Sequence, residues 1–184
     1  DAAPATPPAG YTKPAGSDTA RIGAGLFFLF GSIETIWYDD TILTGATIYS
    51  RVTLPATVTG SSAGCCFVDS SGNGYEVITG TALNNFRIFA VTNGKLSGSA
   101  LSTDATAPIA NAVIELSITG TNLTLKQNGS TIRVLGGITR PTNPHAGAVS
   151  RGGHIAQLQS EYDQAYSVTS INGGSPITAS QTSV

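Results

Sequence analysis

Trp37, Tyr38, Asp39 and Asp40 stand together as a cluster of aromatic and acidic side chains at the end of a predicted strand. Sugar recognition asks for a flat apolar face beneath a pyranose ring and polar groups around its hydroxyls, and this run supplies both. The same residues also read as a core tryptophan beside two solvated acids. A second chemistry comes from hard oxygen ligands on loops. Asp39 and Asp40, with Asp69 and Asn73 flanking Ser70-Ser71-Gly72, are candidate ligands for a calcium ion, or acids that solvate their turns.

Other reactive residues lack the spacing that catalysis needs. His145 and His154 are separated by a glycine-rich segment, with no HExxH-like pattern around them. Cys65 and Cys66 are adjacent, so on a strand they point to opposite faces and cannot bond to each other without a strained turn. They read as two reduced thiols, at least one of them buried, with a bridge between chains as the alternative. The serines include no GxSxG elbow. A glycosidase needs two carboxyls facing across a cleft. The close acidic pairs are Glu34 with Asp39 or Asp40 and Glu161 with Asp163, and no E-x-D-x-E strand pattern puts acids on one face. The expectation is a protein that is not an enzyme and needs no cofactor, with Ca2+ the one candidate ion.

The elements that would position these residues are strands. From Asn111 to Leu135, Ile114, Leu116 and Ile118, then Leu123 and Leu125, then Ile132 and Val134 alternate with polar residues, the period of strands with one dry face. Gly120-Thr121-Asn122 and Asn128-Gly129 supply the reversals, the latter fitted to a type I′ turn. This meander needs a second layer to cover it. Further strands are expected over Ile33–Tyr38, Thr47–Leu54, Gly64–Asp69, Gly74–Thr79 and Leu83–Val91, with Asn93-Gly94 as another turn. Ser97–Ala110 reads as a loop because it is small, polar and interrupted by Pro108. His154–Tyr162 fits a strand or a short helix, since Ile155, Leu158 and Tyr162 also sit at helical spacing. Tyr166, Val168 and Ser170 read as a last strand.

Charged residues make up only 11% of the 184 residues, against roughly 25% in ordinary soluble domains. Ser, Thr, Asn, Gln and Gly must therefore build the surface, a composition that suits a secreted or particle-borne β-protein. A formal charge of −2, with the basic residues scattered singly, leaves no footprint for nucleic acid. The longest apolar run, Leu26–Phe30, is far short of the ~20 residues that span a bilayer, so no membrane insertion is expected. Position 1 is Asp, which suggests a trimmed form or an excised fragment. Residues 1–18 form a Pro- and Ala-rich stretch, read as a linker or as an arm that docks on a neighbouring subunit. Residues 19–172 form the β-domain and 173–184 a polar tail. Leu26, Phe27, Phe28 and Phe30, apolar on both faces, together with Tyr11, are the expected subunit interface.

The segment from Ala112 to Val168 resembles the distal half of the concanavalin A-like, laminin G-like jelly rolls, through Ile114–Thr119, Leu123–Gly129, Gly147–Gly153 and Tyr166–Ile171. Pro8-Ala9-Gly10-Tyr11-Thr12, followed by Ala20-Arg21-Ile22-Gly23, is similar to the openings of bacteriophage tail-fibre and other virion modules. The resemblances imply an all-β antiparallel sandwich of the jelly-roll type with an extended amino-terminal arm. They also imply a structural or host-recognition role, extracellular or on a virion surface, in a homo-oligomer or beside other virion proteins. The alternative is a secreted monomeric carbohydrate-binding module or adhesin that holds a surface glycan through Trp37, Tyr38 and the adjacent acids.

Overall fold

The computed structural model describes residues 11–12, 20–23, 26–29, 35–39, 41–54, 62–79, 85–151, 154–155 and 157–162. In chain order the strands are β1 (Tyr11–Thr12), β2 (Ala20–Gly23), β3 (Leu26–Leu29), β4 (Thr35–Asp39), β5 (Thr47–Thr53), β6 (Ser62–Val68), β7 (Gly74–Thr79), β8 (Phe86–Thr92), β9 (Lys95–Asp104), β10 (Val113–Thr119), β11 (Asn122–Gln127), β12 (Ser130–Leu135), β13 (His145–Arg151), β14 (His154–Ile155) and β15 (Gln157–Tyr162). No helix occurs among the described residues, so none there is long and apolar enough to cross a membrane.

Two antiparallel sheets form the sandwich. One has the order β1-β4-β13-β6-β7-β8-β9 and the other β12-β11-β10-β5-β15, while β14-β3-β2 make a small third sheet. The alternation in the Asn111–Leu135 stretch aims Ile114, Leu116, Ile118, Leu123 and Leu125 inward, where they meet Cys65, Phe67, Val77, Phe86, Ile88, Ala146 and Ala148 of the larger sheet. Burial of this two-sided apolar layer drives the packing. Two buried polar contacts cross it. The Ser50 hydroxyl donates to the Gly147 carbonyl at 2.9 Å, and the Cys65 thiol to the Ile114 carbonyl at 3.8 Å. The larger sheet is also buried on its other face, where Ile36, Tyr38, Cys66, Val68, Ile78, Phe89, Val91 and Val149 form a second cluster.

Turn chemistry follows the sequence closely. Asn93-Gly94 and Asn128-Gly129 take positive φ at both positions (53° and 71°, 50° and 80°), the geometry that matches the right-handed twist of hairpin strands. Gly74 is required where β7 begins, since a Cβ there would collide with the Phe67 carbonyl oxygen.

The structure corrects some expectations. Most of Ser97–Ala110 is strand rather than loop. Lys95–Asp104 forms the outer edge of the larger sheet, and its pattern is hidden by a bulge in which residues 98–101 face Phe89 alone. Such a bulge re-aims an edge and blunts pairing with other chains. His154–Ile155 and Gln157–Tyr162 are strand, not helix. Leu158 and Tyr162 pair with Val52 and Ile48, so tertiary pairing overrides the helical spacing. Tyr11 and Thr12, within the proline-rich stretch, pair with Asp39 and Tyr38 of the same chain. Leu26–Leu29 is the middle strand of the small third sheet, held by β2 on one edge and β14 on the other. Phe30, the 173–184 tail and the strand expected around Tyr166–Ser170 lie outside the described residues.

Candidate functional site

One end of the larger sheet gathers most of the polar groups singled out above. Antiparallel pairing brings together the end of β4 at Asp39, the start of β13 at His145, the β6–β7 turn at Asp69–Asn73 and the β8–β9 turn at Asn93-Gly94. β4 and β6 are both neighbours of β13, so their backbones lie about 10 Å apart. The backbone of Asp39 and the Asp69–Asn73 turn, about 30 residues apart in sequence, therefore lie at the same end of the sheet.

Asp69 organises the β6–β7 turn. Its Oδ1 accepts the amides of Ser71 and Asn73, both at 2.9 Å, and its Oδ2 accepts the Asn73 side-chain amide at 3.3 Å. The Asn73 Oδ1 in turn accepts the Asn93 amide at 3.1 Å, and the Gly94 amide donates to the Gly72 carbonyl at 2.9 Å. Side-chain carbonyl and carboxylate groups here replace backbone partners, as Asx turns do. The two turns become one rigid rim.

Against this rim lies a cleft of about 300 Å3, lined by Asp69, Asn73, Gly74, Tyr75, Ala90, Thr139, Arg140, Pro141 and Thr142. It opens between the rim and the segment that leads from the smaller sheet back to β13. Tyr75, half-buried, packs on the core and accepts the Thr139 amide on its hydroxyl at 3.1 Å. Arg140 clasps the preceding loop from the other side. Its Nη1 donates to the Gly45 carbonyl at 2.7 Å and its Nη2 to the Leu43 carbonyl at 2.9 Å, while the Leu43 amide donates to the Pro144 carbonyl at 2.8 Å. The lining residues thus include a tyrosine, a proline, an acid, an amide, two threonines and an arginine, around a space at the small end of the range for ligand pockets.

Of the aromatic and acidic cluster expected to act together, the side chain of Tyr38 is the one among the described residues. Tyr38 is 4% exposed and packs in the second apolar cluster, its ring tilted against His145 with centroids 4.7 Å apart. On β4 its side chain points inward, toward that cluster. The backbones of Trp37 and Asp39 lie in β4, while their side chains, and Asp40 entirely, lie outside the described residues. Asp69 and Asn73 line the cleft, but their oxygens serve the turns. No group of three or more His, Cys, Asp or Glu capable of holding a metal occurs among the described residues. Calcium takes six to eight oxygens, so Asp69 and Asn73 alone do not make its site.

Cys65 and Cys66 are reduced thiols, fully buried and on opposite faces of β6, in the two separate apolar clusters. Burial pushes the Cys65 thiol far above its ordinary range, which makes it inert as a nucleophile. Among the described residues that line the cleft Asp69 is the one carboxylate, where glycoside hydrolysis uses two. Glu115 lies on the outer face of the smaller sheet, bound to Arg51 at 2.7 Å and Lys126 at 2.9 Å. The residues missed by the sequence reading are Tyr75 and Thr139–Thr142. Their one visible signal is Thr-Arg-Pro-Thr in a break between strands.

Neither a protein family nor a curated protein matches the sequence. Solved structures do match. A carbohydrate-binding module, CBM66 from Bacillus subtilis, superposes with a TM-score of 0.60 at 12% identity, covering 81% of this chain and 93% of that one. The fold is that of the lectin-like jelly rolls. The carbohydrate recognition domain of Emp47p gives 0.58 at 11% identity, covering 86% and 91%. The exoplasmic/lumenal domain of VIP36, in a Ca2+/Man-bound form, gives 0.55 at 12% identity, covering 84% and 89%.

Proposed function

We propose that this jelly roll is a non-catalytic glycan-binding module and that the cleft between the β6–β7 turn and Thr139–Thr142 is its binding site. The observation that carries the reading is the lining of that cleft. Tyr75 and Pro141 offer apolar surface, and Asp69, Asn73, Thr139, Arg140 and Thr142 surround it with donors and acceptors fixed by the turns. This is the pairing of flat apolar face and oriented polar groups that sugars require. The fold supports the same reading, since the superposable structures include carbohydrate-binding and carbohydrate recognition domains. The comparisons favour this alternative over a particle-surface role, and an extracellular or lumenal setting accords with it.

The test is a glycan array probed with the purified chain, followed by titration of the best ligand. Tyr75→Ala and Thr142→Ala should each weaken binding about tenfold or more, a loss of roughly 1.4 kcal/mol or more, with the fold checked by thermal melting. Unchanged affinity in both folded variants would move the site elsewhere.

A further inference from the structure

We infer that the cleft selects an acidic glycan, one bearing a carboxylate or sulfate group, with Arg140 as the residue that reads the charge. This rests on the proposed site and goes further by naming the ligand class. Arg140 is half-buried in the cleft wall, and both of its hydrogen bonds go to neutral backbone carbonyls, Leu43 and Gly45. Among the described residues the ion-paired basic groups are Arg51 and Lys126, which share Glu115, and Arg133, which pairs with Asp104, and no carboxylate pairs with Arg140. A guanidinium has five N–H donors, so two bonds leave about three for a ligand. The clasp holds the planar group at a fixed angle, which lowers the entropy lost when a planar anion docks on it. A carboxylate or sulfate there gains charge-assisted hydrogen bonds in a site partly withdrawn from water.

Asp69 lines the same cleft, and it shapes the selection rather than cancelling it. Its carboxylate is bound by the amides of Ser71 and Asn73 and by the Asn73 side chain, not by Arg140. The cleft is therefore lined by a cationic and an anionic residue that form no ion pair with each other. A ligand anion is drawn to the Arg140 side and repelled from the Asp69 side, while ring hydroxyls can donate to the Asp69 Oδ2. A sugar with an anionic group at one end and hydroxyls at the other matches this polarity; a neutral sugar leaves the Arg140 charge without a counterpart.

The experiment uses the full chain on an array holding uronate-, sialate- and sulfate-bearing glycans beside their neutral counterparts. It is followed by calorimetry with methyl glucuronide against methyl glucoside and methyl galacturonide against methyl galactoside. The expected result is binding confined to acidic glycans on the array. In calorimetry the uronate is preferred by about tenfold or more, the size of one charge-assisted contact, and the preference shrinks as salt rises. Arg140→Gln should bring the ratio toward unity, and Arg140→Lys, which keeps the charge but cannot span both carbonyls, should retain part of it. Should Arg140→Gln fail to fold, the Arg140→Lys ratio and the salt dependence of the native chain decide. Neutral glycans bound as tightly as acidic ones would overturn the inference and leave the glycan-binding reading standing. Binding to no glycan of either kind would overturn both.

Discussion

Asp69 separates a structural role at the cleft from a metal-binding one. In the turn it receives three hydrogen bonds, two from backbone amides at 2.9 Å and one from the Asn73 side chain at 3.3 Å. Asp69→Ala removes all three, and the exposed Ser71 amide can turn to water while the part-buried Asn73 amide does so less well. The loss resembles that of a helix N-cap, about 1–2 kcal/mol. In a chain of 184 residues that corresponds to a fall in Tm of about 2–8 °C. Asp69→Asn keeps an oxygen for the two amides and faces an amide group toward Asn73, so its cost should stay below about 1 kcal/mol. The assay is thermal unfolding of native, Asp69→Asn and Asp69→Ala chains in calcium and in EDTA. If Asp69 acts through the turn, each variant loses the same Tm in both buffers. A native chain that is destabilised by EDTA, with that response abolished in Asp69→Asn, would refute the reasoning and make Asp69 a calcium ligand.

Glu115 sets an acid limit on stability. Burial raises its pKa, but the hydrogen bonds and charges of Lys126 and Arg51 outweigh this and hold the carboxyl below its ordinary value of 4.5. A carboxyl depressed in the folded state stabilises above its unfolded pKa, and that contribution is lost as pH falls through the folded pKa. Both cations are about one-third exposed, so the pairs together are worth about 1–2 kcal/mol. Urea unfolding at pH 7 and pH 3 should show Glu115→Gln less stable than the native chain at pH 7, with the gap closing at pH 3; a gap of equal size at both would rule the ion pairs out. Self-association through Leu26–Phe28 remains a separate proposal, since β3 has both edges paired within the chain and any contact must use its faces. A species larger than one chain that persists on dilution, and dissociates in Phe27→Ser or Phe28→Ser, is the expected native-mass result, and a monomer at all concentrations ends the proposal.

What the sequence determines by itself is local. Period-two alternation places Ile114, Leu116 and Ile118 on a dry face, because side chains on a strand alternate whatever the strand pairs with. Asn-Gly dipeptides mark tight reversals, because few other residues tolerate positive φ at two successive positions. Adjacent cysteines must diverge for the same reason that neighbours on any strand do. Which face is covered, and by what, is not local. Tyr38 reads as an open aromatic until β13 is seen beside β4, with β6 beyond it, and the second face of the larger sheet is found buried. The Lys95–Asp104 strand reads as a loop because its only ladder is made with β8 and is broken by a bulge. The cleft is the clearest case. Tyr75 and Arg140 are 65 positions apart in the chain, and neither belongs to a motif. They meet because the strand order returns the chain from the smaller sheet to the larger one at that end, and closure of two sheets around one core is a property of the whole chain.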